Sequence, residues 1–405
     1  MRSLLFLFLV FSPFAFSQDK GIVHPGKWLG QLAMNDRLFI PFTLEIKELK
    51  NKPVIEIVNG KERIPLKLTN EGDSVLGRFP ELDAYLKFRF NENGEELSGY
   101  WLNLNKKTQI KIPINAWLDK TVTEMAFGTS TISGKWKATF SPNSENPDVT
   151  VGIFEQTAGL VNGTFLTETG DYRFLSGTIG AGQFSMSTFN GSWAFLFEGK
   201  VVNDSIYGKF YSGPNYQTDW FAVKDPNATL RDPSKLTYVE NDKDFNFSAV
   251  KTLKGKSFDY KKASKNKVVI YQIMGTWCPN CIDELHYFKE LHKKYNNQGL
   301  EIVALAYEIG TNEKNQIKRL KAFKKRLSIP YEVVLAGTSS KDIASTQFPM
   351  LNGIMSFPTS VVVGRNGKIE YVHTGFSGPA TGKVYEEYRK EMEMLIERLF
   401  TQYIK

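Results

Sequence analysis

The chain's two cysteines lie in the run Trp277-Cys278-Pro279-Asn280-Cys281. Thiols at that spacing can close into a small disulfide ring and reopen. Upstream, Lys267–Met274 is largely apolar and partly β-branched, the pattern of a buried strand. Downstream, Ile282, Leu285, Phe288, Leu291 and Tyr295 recur at helical spacing. Cys278 therefore stands where a helix begins, and there unpaired N–H groups and the helix dipole favour a thiolate, the form that attacks disulfides. The spacing also admits other readings. A structural zinc site needs four ligands; no second Cys pair exists, although His286 and His292 would formally complete a Cys2His2 set. No metal is expected, and both histidines read as ordinary helix-surface residues. A structural disulfide is a weak alternative, because so short a loop removes little entropy from the unfolded chain.

Strand, short thiol-bearing turn and helix together resemble the thioredoxin fold. Within it, Trp277-Cys278-Pro279-Asn280-Cys281-Ile282-Asp283-Glu284-Leu285 resembles the TlpA/ResA-like thiol–disulfide oxidoreductases of the bacterial envelope, over residues 244–405. The resemblance implies that Cys278 is the exposed nucleophile and Cys281 the buried resolving thiol. It implies that Glu284 tunes the thiols and moves protons, although Glu284 otherwise reads as a surface acid near a helix start. Trp277 would shield the pair. In Ser356-Phe357-Pro358-Thr359 the Phe357–Pro358 bond would be cis and face the thiols, with Phe357 offering main-chain groups to an extended substrate. No cofactor is implied beyond the dithiol. The implied partners are disulfide-bonded envelope proteins as substrates and a membrane thiol electron donor. Three departures stand out. Gln272 occupies the place of the buried Asp of thioredoxin, and Asn280 replaces the usual Pro before the second Cys. Gly275 and Tyr271 stand where a peroxiredoxin needs Thr and Pro, respectively, so peroxidase activity is not expected.

The elements ahead of this segment must carry or direct it. Residues 1–17 combine an early Arg, a short apolar run and a small-x-small end, which reads as a signal peptide cut before Gln18. No Cys is available for a lipoprotein anchor, so the expected location is the periplasm or cell envelope. The chain of 405 residues has a net charge of +8 and a pI near 9.1, moderate values, and export argues against a nucleic-acid partner. Residues 18–222 alternate in short apolar–polar runs broken by Asn-Gly and similar turns, among them Asn162-Gly163 and Asn190-Gly191. Gly26-Lys27-Trp28 is echoed by Gly134-Lys135-Trp136, and Gly99-Tyr100-Trp101 by Gly208-Lys209-Phe210, at an offset of about 108 to 109 residues. The expected architecture is multidomain: two related antiparallel β modules, barrels or sandwiches, at 18–125 and 126–222, a Pro/Asp-rich linker at 223–243, and an α/β thioredoxin-like domain at 244–405. The β-module aromatics read mainly as core, with an unknown ligand at a barrel mouth as the other use. The competing functional class is an envelope ligand- or protein-binding protein whose thioredoxin-like part is a scaffold.

Overall fold

In the computed structural model, the structure describes residues 14–17, 20–50, 52–104, 109–120, 131–240, 244–247 and 250–402. Most of the expected signal peptide, residues 1–13, lies outside them; Phe14–Ser17 pairs antiparallel with Lys20–Val23.

Two nine-stranded antiparallel sheets follow. Their strands alternate buried and exposed residues, as in Gly26–Ala33 and Phe39–Leu49, because a sheet that curls round a core wets one face only. In the first sheet the edge strands Glu62–Pro65 and Lys67–Glu71 are separated by buried Leu66 alone, so the sheet bends round until its edges meet in sequence. The second closes outright, since Asp148–Thr157 pairs with both Gly134–Phe140 and Leu160–Thr167. The repeated motifs make matching contacts. Trp28 Nε1 donates to His24 O and Trp136 Nε1 to Ile132 O; Asp119 N donates to Lys27 O and Asp225 N to Lys135 O. At both Gly99 and Gly208 a Cβ would collide with a neighbouring strand's carbonyl oxygen. These parallels fit a duplicated barrel module. Asn190-Gly191 turns between strands as expected, but Asn162-Gly163 does not. Gly163 lies inside Leu160–Thr167, where a Cβ would meet Ile153 O at 2.2 Å; the glycine admits a close strand rather than a turn.

The Pro/Asp-rich stretch is seated on its neighbours. Thr237 is fully buried and its N–H donates to Thr374, while Val239 bridges Leu351. The C-terminal domain is a six-stranded sheet with the wholly buried Val268–Met274 at its centre, parallel to Leu300–Glu308 and antiparallel to Thr359–Val363. Pro279–Tyr295 and Lys383–Thr401 pack on one face through Leu285, Phe288, Met392 and Ile396. Phe245, Phe247 and Phe348 cover the other. One apolar cluster runs from the first barrel through Phe189, Ala194 and Leu196 of the second into the dithiol domain, while the second barrel's own interior round Trp136, Phe165 and Trp220 is a separate cluster.

Candidate active site

The dithiol sits at the carboxyl end of the central strand, where sites gather in α/β sheets. Cys278 caps the helix Pro279–Tyr295: its Sγ accepts the Cys281 N–H at 3.3 Å. Both cysteines are free and buried, Cys278 at 5 % exposure and Cys281 at 0 %. Burial, then the neighbouring Cys278 sulfur, push the Cys281 thiol well above its ordinary range. The Phe357–Pro358 peptide is cis, and Cys278 Sγ lies 3.5 Å from Phe357 O as a donor. Trp277 packs edge-on against Phe357 and its Nε1 donates to Tyr307 O at 2.9 Å. The structure thus brings together Trp277, Cys278, Cys281, Phe357 and Pro358.

Glu284 belongs to the same site from beneath. It is fully buried, not the surface acid its helix position also allowed. Ser360 Oγ donates to Oε1 at 2.7 Å and Gln272 Nε2 to Oε2 at 2.9 Å. Gln272 Nε2 also donates to Cys281 O at 3.0 Å, tying the acid to the resolving cysteine's backbone. Burial raises the Glu284 carboxyl to about 8, with both hydrogen bonds pulling the other way. It therefore holds a proton at neutral pH. Ser360 went unremarked in the sequence, although its position two residues after Pro358 places it on the neighbouring strand. His286 instead pairs with Glu81 at 2.6 Å, and His292 lies against the Tyr331 ring.

A second buried acid was also missed. Glu308, at 0 % exposure, accepts from Thr276 N–H at 2.9 Å and Thr276 Oγ1 at 2.7 Å, with Arg319 at 3.4 Å. It braces the turn two residues before Cys278. The available signal was an acid closing the apolar strand Leu300–Glu308 at its carboxyl end.

The second barrel fastens directly onto the dithiol turn. Asn280 Nδ2 donates to Asp171 O at 3.3 Å, and Ser192 Oγ to Trp277 O at 3.4 Å. Gly170 adopts φ +154°, and a Cβ there would lie 2.1 Å from Asn280 Nδ2. Arg173 reaches across the junction, with Nη1 2.6 Å from Asp283 and Nη2 2.6 Å from Glu62 of the first barrel. Burial raises the Asp283 carboxyl to about 7 against the pull of Arg173. No sequence pattern announced this three-way ion cluster, because its members lie far apart along the chain.

Residues 240–388 match the Redoxin family. Thiol-disulfide oxidoreductase ResA of Bacillus cereus is 32% identical over 160 residues, 39% of this chain and 82% of that protein. Its counterpart from Bacillus thuringiensis is 33% identical over 144 residues, 35% of this chain and 73% of that protein. Among solved structures, a thioredoxin-family thiol:disulfide interchange protein from Chlorobium tepidum is 21% identical, covering 40% of this chain and 99% of its own, with a TM-score of 0.31.

Proposed function

The chain belongs, through its C-terminal part, to the thiol–disulfide oxidoreductases of the ResA type, and from that premise we propose that it is an exported reductase of disulfides in envelope proteins. The observation that carries this reading is the Cys278–Cys281 pair at a helix start, facing the Phe357–Pro358 loop, above the buried acid Glu284. Cys278, as thiolate, attacks one sulfur of a substrate disulfide. That bond forms as the substrate S–S bond breaks, and the departing sulfur takes up a proton. Cys281 then attacks Cys278 Sγ, releasing the second substrate thiol and leaving the pair oxidised. A membrane thiol donor returns two electrons. Glu284 is a positioning and proton-holding residue: burial keeps its carboxyl protonated, and hydrogen bonds from Ser360 and Gln272 fix it beneath the resolving cysteine. Trp277 and the Phe357 main chain border the nucleophile and receive the substrate segment.

Export rests on the sequence of residues 1–17. No helix among the described residues is long and apolar enough to cross a membrane. The reading is tested by insulin-disulfide reduction with the full chain. Cys278→Ser should abolish turnover, and Cys281→Ser should accumulate a mixed disulfide with substrate. Undiminished turnover in Cys278→Ser would overturn the assignment. Recovery of an envelope-fraction chain beginning at Gln18 is the expected mark of export.

A further inference from the structure

A cavity of about 730 Å³ opens between the mouth of the second barrel and the dithiol, and Cys278, Trp277 and Phe357 form one wall of it. The opposite wall belongs to the barrel: Tyr172, Trp193, Phe195, Phe210 and Tyr216. These aromatics differ from those deeper in the barrel. Phe165, Phe197 and Trp220 are sealed in the core, whereas Tyr172 and Trp193 are only half-buried and Tyr216 is 48% exposed. The rings form a continuous platform, with Trp193 stacked on Phe195 at 5.3 Å and Tyr172 edge-on to both Phe195 and Phe210 at 5.3 Å.

The cavity is built into the fold. The Gly170 contact with Asn280 and the Ser192 bond to Trp277 O pin barrel loops beside the dithiol. Asp171 Oδ2 accepts the Gly378 N–H, fixing the same loop to the dithiol domain on another side. Its size matches sites that enclose a ligand of several groups. Its charge is informative. Arg231 is the cation among its described lining residues and is paired with Glu168, while Asp148 adds an exposed carboxyl and Asp171 is buried with both oxygens accepting backbone N–H groups. An anionic small disulfide meets no free cation among these residues, whereas a neutral or basic peptide bearing an aromatic side chain meets a ring platform and the exposed Asp148 carboxylate.

We propose that the second barrel is the specificity module of the enzyme: it receives an aromatic side chain flanking the substrate cysteine, selecting neutral or basic disulfide-bonded polypeptide segments. This inference rests on the oxidoreductase reading above. The chemistry is unchanged by it. Cys278 Sγ bonds to the nearer substrate sulfur, the substrate S–S bond breaks, and the released sulfur is protonated while the barrel holds the adjacent ring.

The test uses the full chain, reduced beforehand, and three disulfides. Two are neutral synthetic peptides, each closed by one internal disulfide, with Phe or Ser beside the first cysteine; the third is oxidised glutathione. The Phe peptide should be reduced with a kcat/KM about tenfold above that of the Ser peptide, the scale of one well-seated ring, and both should outpace glutathione disulfide. Trp193→Leu and Tyr216→Ser should bring the Phe-to-Ser ratio towards one. Tyr207→Ser, an exposed aromatic of the same barrel outside the cavity, should leave the ratio as it is. The reduction potential of the Cys278–Cys281 pair, read in every variant, reports that the dithiol site is intact. A ratio near one in the unaltered chain overturns the proposal. So does a ratio untouched by both cavity variants, or a preference for glutathione disulfide. In each of those cases a normal potential leaves the oxidoreductase reading standing; if the unaltered chain forms no reversible disulfide, that reading fails and this inference with it.

Discussion

Glu284 is sealed from water, with Gln272 and Ser360 as its donors and no cation bonded to it among the described residues, so its proton is sensitive to its surroundings. Its carboxyl is raised from an ordinary 4.5 to about 8 in the folded chain. The folded state therefore binds more protons than the unfolded state between those values. Stability from this residue is fully present below about pH 4.5 and is lost as pH rises towards 8, at no more than about 1.4 kcal/mol per pH unit. Glu284→Gln should flatten that part of the stability–pH curve, as read by chemical denaturation at pH 5 and pH 9. It should also remove an inflection near pH 8 from the rate of thiol alkylation. Retention of the inflection would take Glu284 out of the proton chemistry. Cys281 belongs to the same scale. Its thiol is pushed well above its ordinary range, so Cys281→Ser should leave Cys278 able to attack and unable to be resolved, with the mixed disulfide visible by mass.

Among the elements, those with a strong local signal were legible in the sequence. The strand Val268–Met274 is a continuous apolar run, and the helix Pro279–Tyr295 carries its apolar residues at helical spacing. The two Gly-Lys-Trp motifs open matching barrel strands. Cys278, Cys281 and the Phe357–Pro358 turn could be placed together because a known family shares their pattern. What stayed hidden depends on long-range placement. Gly163 carries turn chemistry locally, yet tertiary strand pairing decides its role. Nothing near Gly170 in sequence says that it will press against Asn280. That contact gives an element-scale prediction: Gly170→Ala places a methyl where Asn280 Nδ2 now lies, at a backbone φ that favours glycine. Either Asn280 gives up its bond to Asp171 O and swings aside or the barrel loop lifts, which together with the strained φ costs about 1–3 kcal/mol. A lowered thermal midpoint of the full chain would register it; an unchanged midpoint would mean the loop yields freely.

At the scale of the whole molecule, Arg173 joins all three units, because it comes from the second barrel and binds Glu62 of the first and Asp283 of the dithiol helix. All three side chains are at most 11% exposed, so salt screens the cluster little. Arg173→Ala leaves two acids buried without their cation and should destabilise the assembled chain by about 3–5 kcal/mol. Without Arg173 the Asp283 carboxyl rises further, so it is neutral in acid and costly in base: the variant's deficit should be larger at pH 8 than at pH 5. Denaturation at the two pH values checks the sign. The apolar cluster at the junction and this ion cluster hold the barrel mouth over the dithiol, so the redox measurement is made on the full chain. The decisive measurement is the reduction potential of Cys278–Cys281 in that full chain, equilibrated in thiol buffers and alkylated. The reductase reading predicts a value of about −250 mV or lower. A value near about −120 mV, that of a strong oxidant, or no reversible disulfide at all, would contradict the account.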